Sequence, residues 1–139
     1  MLQINFIAVL VSAVVAFILG FLFHGPVSGK LWMKLANIHP TGNEKLSDMI
    51  PQMAWNLFSN IVTAAVMAMI FGLVFSSSLM GPATWLRGAI MGVLLWLGFL
   101  VTSSSIDVIW MGKNYKLWLF ECGCSLVVMS VIGAILASW

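Results

Sequence analysis

Charge is what this chain has least of. Of its 139 residues only 7% are Asp, Glu, Lys or Arg, against about 25% in soluble domains, so the ordinary water-facing surface cannot be built from it. The six basic residues are scattered rather than gathered on one stripe, which argues against a nucleic-acid partner. Cysteine is nearly absent. Cys122 and Cys124 lie two positions apart, and on a helix that spacing points their side chains to nearly opposite sides. No disulfide framework and no two-cysteine metal clip is expected from them, and no cofactor. Also missing are HExxH, GxSxG, a Gly-rich phosphate loop and any nucleophile with an evident base. The expectation is a protein that is not an enzyme; a catalytic reading would have to use Glu121, Asp107 and His24 brought together by the fold.

What fills the chain instead is apolar. Hydrophobic residues make up 62% and the mean hydropathy is +1.09, so lipid rather than water is the expected solvent, and the length suits one domain over 1–139. Met1 to Ile4 carry no Lys or Arg and no small-x-small site follows, so the first apolar run reads as a retained helix, not a signal peptide. Four runs, 5–23, 52–75, 83–104 and 117–139, each approach the ~20 residues that span a hydrocarbon core. They lack dyad alternation, so the fold class is all-α, a polytopic bundle of four transmembrane helices and not a barrel. Arg87 and Glu121 alone interrupt the runs, near their starts.

Independent markers bound these runs. Gly25 and Pro26, Pro51, and Gly81 and Pro82 signal turns. Trp55, Trp85, Trp118 and Trp139 fall at span ends, Trp32 and Trp110 in flanking loops, and Trp96 alone mid-span, as interfacial anchoring predicts. Lys30, Lys34 and Lys45 in the first loop, about 24–51, and Lys113 and Lys116 in the third face only Arg87 in the second connection. This bias places loops one and three in the cytoplasm and both termini on the other side, of the inner membrane if the source is bacterial. Leu31, Leu35 and Ile38 at i, i+4, i+7 fit a short helix on the membrane surface; a loop tethered by Trp32 is the alternative.

Two patterns concern packing. Leu19-Gly20-Phe21-Leu22 and Trp32-Met33 recur 78 positions later as Leu97-Gly98-Phe99-Leu100 and Trp110-Met111, an echo that reads either as a 2+2 parallel repeat or as chance. Small residues recur at every fourth position, including Ala16 and Gly20 in span one, Ala68 and Gly72 in span two, and the Gly88-xxx-Gly92 of span three. Such faces let backbones approach closely in lipid, either within one chain or across an oligomer seam. Spans one and two are expected to pack on each other.

Polar groups are costly in a membrane, so where they gather is the best pointer to a site. His24, Asn56, Asn60, Asp107, Glu121 and Ser125, with Ser103 to Ser105, all fall toward the end carrying loops one and three. Asn56 and Asn60, like Glu121 and Ser125, share a helix face at i, i+4, so a polar pocket between spans two and four is expected. Each member has a plainer reading: Glu121 as an interfacial acid paired with Lys113 or Lys116, Asp107 as a headgroup-level acid, His24 as a water-facing helix end. No metal site is expected from one His pair.

The phrases Gly29-Lys30-Leu31-Trp32-Met33, Leu95-Trp96-Leu97-Gly98-Phe99, Tyr115-Lys116-Leu117-Trp118-Leu119 and Gly133-Ala134-Ile135-Leu136-Ala137 resemble the domain of unknown function 1761 family across nearly the whole chain. The resemblance implies a small four-helix membrane protein, mainly bacterial, and transfers no catalytic residue. The chain departs from that pattern at Phe23-His24-Gly25-Pro26 and at the Ser-rich exit of span three with Asp107. Two functional readings follow. One is a non-catalytic bundle acting by association, with itself or as an accessory subunit of another membrane protein. The other is binding or transport of a small solute or ion through the polar pocket on the cytoplasmic side.

Overall fold

The computed structural model describes residues 4–40, 46–77 and 81–139; Lys45, counted above among the loop-one lysines, lies outside them. Among the described residues every regular element is helical. In chain order these are α1 (Phe6–His24), α2 (Gly29–Ala36), α3 (Leu46–Ser76), α4 (Trp85–Leu95), a π-helical segment (Trp96–Val101), α5 (Thr102–Met111) and α6 (Tyr115–Ser138). α4, the π segment and α5 run on as one span, Trp85–Met111, and four spans are long and apolar enough to cross a membrane.

Local chemistry explains the boundaries. Asn5 caps α1, its side-chain oxygen accepting from the N–H groups of Ile7 (3.0 Å) and Ala8 (3.3 Å), which satisfies two of the donors a helix start leaves open. Thr84 caps α4 through the Arg87 N–H, and Asn114 caps α6 through the Lys116 N–H. Gly112, at φ +67°, closes α5 in the left-handed region that suits glycine. Pro51 departs from expectation. It lies inside α3 rather than before it, because a proline close to a helix start forfeits little of the hydrogen-bond ladder. The third span also extends beyond its expected end at 104, so Ser105, Asp107 and Trp110 are helical. α2 forms as a short helix with Leu31 exposed, and it ends at Ala36, so Ile38, also exposed, lies beyond its left-handed cap Asn37.

α6 is the hub. It packs most closely on α4, then on α1, and less on α3, while α1 packs closely on α3. The expected pairing of spans one and two is present. The core is built of small and flexible residues: Val9 and Ala16 of α1, Ala64 and Met67 of α3, Met91 of α4, Met129 and Ile132 of α6. Large apolar side chains such as Phe21, Phe58, Leu73, Leu94 and Phe99 point outward, the inverse of a soluble bundle and consistent with a lipid surround.

The α4–α6 contact depends on glycine. A Cβ on Gly88 would overlap the Gly133 carbonyl and the Ala137 side chain, and a Cβ on Gly92 would overlap the Met129 carbonyl. The Gly88–Gly92 face therefore seats α6 of its own chain. Such proximity permits Cα–H···O contacts and dense van der Waals packing where no hydrophobic effect operates. Ala16 is buried in the core. Gly20, by contrast, has open space where a Cβ would stand, and Ala68 and Gly72 border a hollow near the opposite end of the bundle.

Beyond the π segment the third span draws away from α6. Thr102 donates to the Gly98 carbonyl (2.6 Å), Ser103 to that of Phe99, and Ser105 to that of Thr102 (2.7 Å). These hydroxyls give partners to carbonyls that an irregular turn presents poorly, which is how such turns are tolerated in lipid. The Leu19–Leu22 phrase is regular α-helix while its echo Leu97–Leu100 lies within the π segment, so the sequence echo has no counterpart in local conformation there.

Candidate functional site

At the end of the bundle where α1 stops and α6 starts, a cleft of about 230 Å³ lies between α1, α3 and α6, with Leu100 of the π segment on one wall. Five of the residues singled out by sequence border it: His24, Asn56, Asn60, Glu121 and Ser125. They arrive together because α1 ends where α3 and α6 begin, so short sequence offsets from each terminus become one level in the bundle. Glu121 is six positions after Tyr115, a rise of about 9 Å, and Ser125 is one turn deeper. The sixth, Asp107, is not among the lining residues; on α5 its backbone carbonyl receives the Gly112 and Lys113 N–H groups that end the helix.

The polar groups are organised. Asn60 donates through Nδ2 to Asn56 Oδ1 at 2.9 Å, which leaves the Asn56 amide nitrogen and the Asn60 carbonyl oxygen as an adjacent donor and acceptor. Glu121 is paired with Lys113 at 2.6 Å, both side chains about a third exposed. The expected pairing with Lys113 is thus present, and the carboxylate borders the cleft at the same time. His24 donates from Nδ1 to the Gly20 carbonyl at 2.9 Å, fixing the ring. Its edges meet Trp32 of α2 at 5.3 Å and Phe120 of α6 at 6.1 Å between centroids. Asn114 adds a bond from Nδ2 to the Leu35 carbonyl at 3.4 Å, so α2 is held across this end of the bundle.

Sequence reasoning missed several participants. Thr63 lines the deep end of the cleft on the face of Asn56 and Asn60, and its i, i+7 spacing from Asn56 was the available signal. Trp96, read as a lone mid-span tryptophan, donates through Nε1 to the Cys122 carbonyl and to Ser125 Oγ, both at 3.0 Å. Ser125 also donates to Cys122. The indole orients Ser125 from behind. Trp118 similarly donates to Ser104 Oγ at 2.9 Å. Ala16 and Gly20, offered as packing positions, border the cleft, and the missing Cβ of Gly20 leaves part of its space.

Cys122 and Cys124 are both free thiols, Cys124 on the cleft wall. Among the described residues no three His, Cys, Asp or Glu side chains gather closely enough to hold a metal ion. The cleft presents amides, hydroxyls, one imidazole and one paired carboxylate, a set suited to hydrogen bonding.

A family model described as Protein of unknown function (DUF1761) matches residues 7–137, nearly the whole chain, and the chain belongs to that family. No curated protein and no solved structure matches it.

Proposed function

We propose, taking membership of this family of unknown function as the premise, that the protein is a non-catalytic membrane bundle whose cleft binds a small, uncharged polar group. The observation that carries this reading is the convergence of Asn56, Asn60, Thr63, Glu121, Ser125 and His24 on one cleft in a chain with so few polar residues to place. Buried polarity in lipid is unfavourable unless it is used. The volume is below the ~300–1,000 Å³ of drug-sized sites and equals the share of roughly eight waters, so the bound group is small.

Charge sets the class. No Lys or Arg is among the lining residues, and Glu121 already has Lys113, so neither an anion nor a free cation finds an unmatched opposite charge. A group that both donates and accepts, such as a hydroxyl, matches the Asn56–Asn60 pair. The lysine bias supports a cytoplasmic position for this end. Association with another membrane protein is the less supported reading, since the Gly88–Gly92 face that motivated it seats α6.

Native mass spectrometry of protein released directly from membranes tests the proposal. A retained non-protein mass that disappears in Asn60→Leu, with helicity and melting unchanged, is expected. Absence of any retained mass, or one indifferent to Asn60→Leu and Ser125→Val, overturns it.

A further inference from the structure

The polar cleft adjoins an apolar one. Thr63, Leu100 and Met129 border it and also border a second hollow of about 300 Å³ between α3 and the third span. Val62, Val66 and Ile70 line one side of that groove, Leu95 and Phe99 the other. It exists because α6 lies between α3 and the third span, which make little direct contact. Along α6 the cleft runs from Glu121 to Ile132, and along α3 from Asn56 to Thr63; from Thr63 the groove continues along α3 to Ile70.

We infer that the occupant is an uncharged single-chain amphiphile, with a hydroxyl-bearing head in the cleft and the first part of its hydrocarbon chain in the groove. This rests on the binding reading above and names its ligand class. From Val62 to Ile70 the helix rises about 12 Å. Spread over that length, the groove volume gives a cross-section on the order of 25 Å², well under the ~80–110 Å² of a helix 10–12 Å across. That section takes one hydrocarbon chain, whereas a partner helix could lay only side chains into it. The groove wall is aliphatic, thioether and phenyl, which solvates a methylene chain as well as lipid does, so selectivity comes from the head. There the Asn56 amide donor, the Asn60 carbonyl and Ser125, held by Trp96, meet hydroxyls, and the absence of a lining Lys or Arg leaves a phosphate without a counter-charge.

The test uses the full chain in nanodiscs of a zwitterionic phospholipid with a monoacylglycerol carrying a diazirine in the upper part of its chain. Cross-links are expected on the α3 peptide holding Val62–Ile70 and the peptide holding Leu95–Phe99. They should fall at least tenfold in Asn60→Leu, and also in Val66→Trp, which fills the groove while leaving the cleft intact. An alkyl diazirine without a head that labels equally, or a lysophosphatidylglycerol that displaces the probe better than unlabelled monoacylglycerol, overturns the inference. If the mass retained in the native spectra is a polar compound without a chain, the cleft reading stands and the amphiphile is wrong. Loss of that mass from Val66→Trp as well as from Asn60→Leu supports the chain.

Discussion

Gly88 of α4 and Gly133 of α6 face each other so closely that the carbonyl oxygen of each occupies the space a Cβ would take on the other. The contact is reciprocal and backbone to backbone, so no side-chain rotation relieves an added methyl group, and the strongest helix pair of the bundle depends on it.

Gly88→Ala and Gly133→Ala are therefore each expected to lower stability by about 3 kcal/mol, at the upper end of overpacking costs. Gly123→Ala, on the same α6 but with nothing near its Cβ position, is expected to be neutral or to stabilise by up to about 1 kcal/mol. Reversible unfolding in detergent followed by circular dichroism separates the two. Equal changes at Gly88 and Gly123 would mean that close approach does not set the effect.

Trp96→Phe keeps the ring but removes the donor to Cys122 and Ser125. A loss of about 1 kcal/mol is expected, with a coupling to Ser125→Ala near the ~0.6 kcal/mol typical of hydrogen bonds between membrane helices. A double-mutant cycle measures it; additive losses would show that the indole acts by packing alone.

Ser12 is fully buried and its hydroxyl has no hydrogen-bond partner among the described residues, unlike Ser125, Ser130 and Ser138, which donate to carbonyls of their own helix. Ser12→Ala is expected to leave stability unchanged or raise it by about 1 kcal/mol, since it removes an unsatisfied group. A loss greater than that on thermal melting would reveal a partner for the hydroxyl.

Glu121→Gln breaks the pair with Lys113. Both groups are partly exposed, so a cost of at most about 1 kcal/mol is expected, shrinking as salt rises. Binding at the cleft should survive, because the carboxamide still accepts. Chemical denaturation at low and high salt, alongside the retained mass in native spectra, reads both quantities.

Cys122→Ala leaves Cys124, on the cleft wall, as the sole thiol of the chain. A membrane-impermeant thiol reagent is expected to modify it in inside-out vesicles and not in right-side-out ones. The opposite result would reverse the orientation drawn from Lys30, Lys34, Lys113 and Lys116.

Composition and periodicity were enough to determine four apolar helices, their approximate limits and the end at which polar residues gather, because lipid forces every backbone group to pair within its own segment. Gly88 and Gly92 were likewise legible as a close-packing face. Their partner was not: which helix lies against a glycine face depends on how all the spans nest, and that alone brought Gly88 to Gly133, Ser125 to Trp96, and Asn60 to the level of Glu121 while leaving Asp107 aside. The π segment and the groove beside it were beyond sequence as well, since a displaced turn follows from the fit of one span against its neighbours rather than from the hydropathy of its residues.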